Sequence, residues 1–239
     1  VEACDRMIDQ ALTEAGMSLQ DVDACAVTYG PGLVGALLTG VSCMKGLSYA
    51  AGKPLIPVNH IEGHVSANYL THPDLEPPFV CLVVSGGHSH LVEVQDYGVY
   101  RLLGQTMDDA AGEAFDKAAR VLGLPYPGGP RLDKLAEEGD PYAMQLPMPH
   151  PEGRYDFSFS GLKTAFLNAA HKLEQKGGEL PRADMAASFR RMVCTCLSDK
   201  AILAAQETHA KALAMAGGVS ANSLLRSEMQ RMCQNNGLT

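Results

Sequence analysis

The chain has 239 residues, 19 Lys and Arg against 27 Asp and Glu (formal net charge −8), and 46% hydrophobic residues with 24 Gly and 14 Pro. That is enough chain for one large domain or two modest ones with real cores, in the composition of a turn-rich α/β protein. The acidic balance argues against broad nonspecific nucleic-acid binding, which needs a basic surface, and no apolar run reaches the roughly 18 to 20 residues of a membrane span.

Residues 1–15 carry Met7, Ile8, Ala11 and Leu12 on one stripe and predict a helix. Ala24–Gly30 (ACAVTYG) predicts a strand, followed by a small-residue helix (LVGALLTGVSCMKGLSYAAG) and a second strand (KPLIPVN). Asn59–Leu70 (NHIEGHVSANYL) continues as a helix. Thr71–Pro78 is a Pro-rich break, so the expected domains are 1–76 and 77–239. FVCLVVSGGHSHLVEVQDYGVYRLLGQ predicts an antiparallel meander of three strands. Next comes the helix DDAAGEAFDKAARVLG, with Asp108 or Asp109 as N-cap and Gly123 as its stop. PYPGGPRLDKLAEEG is a Gly-Pro loop into another helix. DFSFSGLKTAFLNAAHKL is a short alternating strand into a helix capped by Ser160. A long helix, Arg182–Thr208, then precedes the strand ALAMAGG and the helix ANSLLRSEMQRMC. Strands and helices alternate in both halves, which predicts an α/β fold of two lobes.

Seven cysteines, no C-x-x-C pair and no secretory leader at the start point to reduced thiols in a cytoplasm. The sequence opens on Val1 inside a helical pattern and stops at Thr239 where a strand is expected next, so it reads as a piece of a longer protein.

His60 and His64 lie four apart and share one helical face, a spacing that lets two imidazoles grip one ion. Glu62 is two residues from His60, about 200° around the helix, which excludes the zincin protease arrangement, where Glu directly follows the first His. Structural or solvated histidines are the alternative. Gly30–Gly35 (GPGLVG) formally matches a dinucleotide fingerprint, but the next strand ends PVNH without the acidic residue that fingerprint wants, and Pro31 lacks an N–H. A close-packed strand-to-helix turn is the better reading. Gly86 and Gly87 in VVSGGHSH can take positive φ and aim successive N–H groups outward as an anion nest; an ordinary hairpin turn explains the same letters. A second twin-glycine turn, Ala216–Asn222, ends at a helix start, where N–H groups and dipole favour a phosphate or ribose oxygen. On the helix after the meander, Asp116 is placed to pair with Arg120 and Glu113 with Lys117. Asp133 reads as a first-turn acid.

NHIEGH, VSGGHSHL, DDAAGEAFDKAARVLG-x-x-YPGGP, DFSFSGLKT and MAGGVSAN, in this order and along essentially the whole chain, resemble the tRNA threonylcarbamoyladenosine transferases of the TsaD family, bacterial or organellar branch. The resemblance implies an α/β, two-lobed actin/Hsp70/sugar-kinase-like fold. It implies transfer of threonylcarbamoyl from threonylcarbamoyl-AMP to N6 of the adenosine 3′ of the anticodon in tRNAs reading codons that begin with A. It also implies one divalent metal per subunit, iron first and zinc as the alternative, held by His60 and His64. Carried over by motif, Val83, Val84, Ser85, Gly86 and Gly87 form the substrate loop, and Asp116, Gly129, Asp133 and Asn222 make the remaining contacts, with Asp116 and Asp133 suited to ribose hydroxyls. Threonylcarbamoyl-AMP, tRNA and the bacterial partner proteins TsaB and TsaE are the implied partners, in the cytoplasm and without a membrane. Arg190 and Arg191 are candidate tRNA contacts.

The family's D/E-T-S-C-D phosphate segment and its C-T-D-N-G-A segment, whose Asp is the third metal ligand, do not occur in these residues. This chain is therefore expected to bind metal weakly and to be impaired as it stands, and restoring the Asp segment is expected to raise metal affinity. No side chain is an evident general base. The rival readings are a sugar-kinase-like phosphotransferase and a partner-binding scaffold of the same fold. A His-x-x-x-His pair is needed by neither.

Overall fold

The computed structural model describes residues 2–239; Val1, which the first helix was expected to include, lies outside them. Residue contacts divide the chain into two compact units, Val1–Ser66 and Ala67–Thr239.

The first unit is α1 (Glu2–Ala15), β1 (Cys25–Gly30), α2 (Val34–Ala51), β2 (Leu55–Asn59) and the first part of α3 (His60–Thr71). β1 and β2 pair in parallel, and α2 supplies the crossover that parallel strands require. α2 ends at Gly52, whose φ of 64° closes the last turn in the left-handed conformation glycine tolerates best. The GPGLVG segment is a strand-to-helix turn, but not a close-packed one. A Cβ at Gly30 or Gly35 would meet nothing within 4 Å, and Leu33 and Val34 are 83% and 72% exposed.

The second unit holds the larger core. β3 (Phe79–Val84), β4 (Ser89–Asp96) and β5 (Val99–Gln105) form the expected antiparallel meander, and β6 (Leu213–Ala216) adds to β3 in parallel, giving the order β5-β4-β3-β6. Every residue of β3 is fully buried, as expected of an unbroken apolar run in the middle of a covered sheet. Around it pack α4 (Ala111–Val121), α5 (Gly128–Leu135), α6 (Ser160–Gln175), α7 (Arg182–Glu207) and α8 (Ser223–Asn235). α7 buries residues on all its faces, the pattern of a central helix. Phe115, Phe166 and Phe189 meet where α4, α6 and α7 converge, with ring centroids 5.0 and 5.9 Å apart.

Three local expectations fail. α4 is capped by neither Asp108 nor Asp109, since its N-cap is Ala110 with no side-chain acceptor. Asp108 instead caps α6, accepting the N–H of Phe159 (2.8 Å) and Ser160 (3.2 Å) and the Ser158 hydroxyl (2.6 Å), so Ser160 is not that helix's cap. The DFSF segment is not a strand; Phe157 makes a single bridge to Thr106. All seven cysteines are free thiols, and burial alone pushes Cys81 up to about 12. Among the described residues no helix is long and apolar enough to cross a membrane.

Candidate functional site

Within the second unit, the ends of β3 and β6 and the starts of α4, α5 and α8 enclose a cleft of about 410 Å³. Gly86, Asp116, Gly129, Asp133 and Asn222 all line it. Five residues widely separated in sequence and expected to act together thus face one cavity. Val83 and Val84 do not, because both are core residues of β3 with no exposed surface.

The Gly86 turn is built differently from the expected anion nest. Neither Gly86 nor Gly87 has positive φ. Ser85 closes the turn, donating its N–H to His88 O (2.8 Å) while its Oγ accepts the His88 N–H (3.2 Å). The cause lies on α4. Gly112 donates its N–H to Ser85 O at 3.2 Å, and a Cβ on Gly112 would stand only 2.5 Å from that oxygen. The helix packs backbone to backbone against the turn, which fixes the glycines from behind. A glycine inside a helical pattern was the signal for such an approach. The other twin-glycine turn takes a positive φ at Gly217, +89°, where a Cβ would collide with Val84 O.

The cleft's carboxylates are held by other helices. Asp116 does not pair with Arg120. Its Oδ1 accepts the N–H groups of Gly128 (2.8 Å) and Gly129 (3.2 Å), the first residues of α5. Unbonded N–H groups at a helix start, aligned with its dipole, compete better for a carboxylate than a solvated guanidinium one turn away. Glu113 and Lys117 do pair as expected, at 2.7 Å. Asp133 is not a first-turn acid; it sits late in α5, bonded to Arg190 at 2.9 Å and accepting the Ser223 N–H at 2.9 Å. Asn222 caps α8, its Oδ1 accepting the Leu225 N–H at 3.1 Å and the Cys194 thiol at 3.4 Å.

Below the turn, Asp109 bridges Lys163 (2.5 Å) and Lys117 (2.9 Å) and so joins α4 to α6. Burial raises its pKa, but the bonds and charges of the two lysines together outweigh burial and leave the carboxyl below its ordinary value.

The proposed tRNA contacts are engaged elsewhere. Arg190 is only 9% exposed and belongs to the Asp133 network. Arg191 donates to Pro141 O at 2.8 Å and stacks over Tyr142 at 4.6 Å. Sequence reasoning missed Phe115 and Tyr126 as cleft residues, although Tyr126 opens the YPGGP motif and stands 84% exposed at the lip.

The histidine pair lies in the first unit. Asn59 caps α3, its Oδ1 accepting from Ile61 N (2.9 Å) and Glu62 N (3.4 Å), which begins the helix at His60. One turn on, the His60 and His64 rings stand with centroids 4.6 Å apart, while Glu62 is exposed. Adjacent half-buried imidazoles on one face suit a borderline divalent ion such as iron or zinc. Among the described residues no group of three or more His, Cys, Asp or Glu is placed to hold a metal.

Solved structures share the fold. HypF from T. kodakarensis superposes with a TM-score of 0.72 at 15% identity, covering 100% of this chain and 40% of that one. The ADPNP-bound activator of 2-hydroxyisocaproyl-CoA dehydratase from Clostridium difficile gives 0.56 at 15%, covering 96% and 72%. These likenesses place the chain in the actin/Hsp70/sugar-kinase-like α/β fold. Two curated tRNA N6-adenosine threonylcarbamoyltransferases, from Clostridium perfringens strain SM101 and Clostridium botulinum strain 657, are each 53% identical over all 239 residues, and the chain spans 70% of their length. The model of the family described as "TsaD: tRNA N6-adenosine threonylcarbamoyltransferase" matches residues 1–239, and the chain belongs to that family of acyltransferases.

Proposed function

We propose that this chain belongs to a t6A synthase, moving threonylcarbamoyl from threonylcarbamoyl-AMP to N6 of the adenosine 3′ of the anticodon in tRNAs that read codons beginning with A. The match of residues 1–239 to the family model carries this reading. The 410 Å³ cleft supports it by gathering polar groups suited to an adenylate.

Asp116 and Asp133 each keep lone pairs beyond their helix bonds for ribose hydroxyls, and the Gly86 and Gly129 backbones allow close approach of the nucleotide. The protein's part is chiefly to hold the acyl carbon in line with the incoming N6 amine and to stabilise charge as AMP departs. His60 and His64 supply two ligands of a divalent metal, iron first. When bound, such an ion polarises a carbonyl oxygen and makes its carbon more electrophilic. TsaB-like and TsaE-like partner proteins assist in the cytoplasm, and they help an acidic chain engage tRNA.

The test supplies labelled threonylcarbamoyl-AMP and unmodified tRNA with the partner proteins. It compares this chain, the chain extended at both ends with the family's flanking segments, and the extended chain carrying His60→Ala and His64→Ala. Incorporation by the extended chain that is lost in the histidine variant is the expected result. No incorporation with verified adenylate, tRNA and partners would overturn the function and leave only the fold.

A further inference from the structure

Arg190 stands behind the cleft and holds two of its walls. Its Nη1 donates to Asp133 Oδ1 and Asp133 O, both at 2.9 Å, and to Ser223 Oγ at 3.2 Å, while Nη2 donates to Ala136 O at 3.2 Å. Asp133 in turn accepts the Ser223 hydroxyl at 3.0 Å and the Ser223 N–H at 2.9 Å. The side chains are 11% and 15% exposed, so little water screens the pair. Arg190 Nε is buried without a partner among the described residues. A buried ion pair with an orphaned donor is weak evidence for a stabilising role, since apolar replacements are often as stable.

One partner, however, lines the cleft. Asp133 Oδ2 accepts a single bond from the protein and retains a second acceptor direction. Left bare, that carboxylate would repel an anionic ligand placed beside it. We propose that Arg190 is a positioning residue for the cleft: by neutralising Asp133 and fixing its rotamer, it lets the carboxylate accept a hydroxyl of the ligand without rejecting the ligand's phosphate. The inference rests on the adenylate reading of the cleft and gives Arg190 a role there that differs from the tRNA contact expected of it in sequence.

The test is calorimetric binding of AMP and of adenosine, which differ in charge, to the full chain and its variants. Arg190→Gln is expected to weaken AMP about tenfold and adenosine less than about twofold, since only the charged ligand feels the unmasked carboxylate. Arg190→Lys, which keeps the charge, is expected to retain AMP affinity within about threefold. Combining Arg190→Gln with Asp133→Asn removes both charges and is expected to restore the AMP-to-adenosine ratio. That neutral pair and the lysine variant carry the comparison if Arg190→Gln does not fold. Equal weakening of both ligands, or none, would mean a structural arginine and would overturn the proposal. If neither the parent chain nor the chain extended with the family's flanking segments binds AMP or adenosine, the adenylate reading itself falls.

Discussion

The Oδ1 of Asp116 accepts the backbone N–H of Gly128 at 2.8 Å, so a carboxylate on α4 supplies the missing cap of α5. Pro127, the residue before α5, offers no side-chain acceptor, which leaves Asp116 that task. Asp116→Ala should therefore destabilise the protein by about 1–2 kcal/mol, the usual cost of a lost cap. Asp116→Asn keeps an acceptor oxygen and should lose less than about 1 kcal/mol. Urea denaturation of the two variants checks this, and equal losses would mean that the charge matters more than the bonds.

Asp108 stands in the same relation to α6. Its Oδ1 accepts two N–H groups at that helix start, while the Ser160 hydroxyl makes no bond there. Asp108→Ala should cost about 1–2 kcal/mol and Ser160→Ala less than about 0.5 kcal/mol. The reverse order in thermal unfolding would restore Ser160 as the cap.

These two residues and Asp133 explain what was legible in the sequence. Periodicity and apolar runs predicted the strands and helices well, because β3 is continuous in hydrophobicity and α7 too long to be anything else. The Glu113–Lys117 pair was legible too, as both partners lie on one helix. Each of Asp108, Asp116 and Asp133 was read against its own helix, as a cap, an i,i+4 acid or a dipole acid. Each instead serves the start of a different helix, at Phe159, Gly128 and Ser223. Local patterns cannot register that competition, because the winning donors arrive only when the helices pack. The glycine turns were recognisable as turns, but the close approaches behind them, Gly112 to Ser85 and Gly217 to Val84, belong to tertiary structure.

Two neighbouring glycines separate packing from binding. A Cβ on Gly128 would stand 2.5 Å from the Ala119 Cβ, whereas one on Gly129 would meet only the Phe115 Cβ at an ordinary 3.9 Å. Gly128→Ala should destabilise by about 1–3 kcal/mol through overpacking. Gly129→Ala should change stability by less than about 1 kcal/mol, so any loss of adenosine binding it causes reports on the cleft it lines. Thermal unfolding together with ligand binding distinguishes the two.

The 4.6 Å separation of the His60 and His64 rings makes metal binding a test of the first unit. In the chain extended with the family's flanking segments, replacing either histidine with alanine should reduce iron or zinc bound at equilibrium at least tenfold, with little change in far-ultraviolet circular dichroism. Metal content measured after dialysis against a weak chelator is the readout. Unchanged content in both variants would make the pair structural.

Asp109 predicts an acid limb of stability. Burial works against its ionisation, yet the Lys163 and Lys117 bonds leave its folded pKa below the ordinary value near about 4. A depressed carboxyl contributes stability that is complete above the unfolded value and is lost as pH falls through the folded one. Asp109→Asn should therefore melt below the parent at pH 7, and the gap between them should close progressively below about pH 4. Because the carboxylate is mostly buried between two ammonium groups, moderate salt should narrow the neutral-pH gap only slightly. Melting curves of both proteins from pH 7 to pH 3 decide the matter: a gap that stays constant would mean that Asp109 acts through packing, with its charge contributing nothing that titrates.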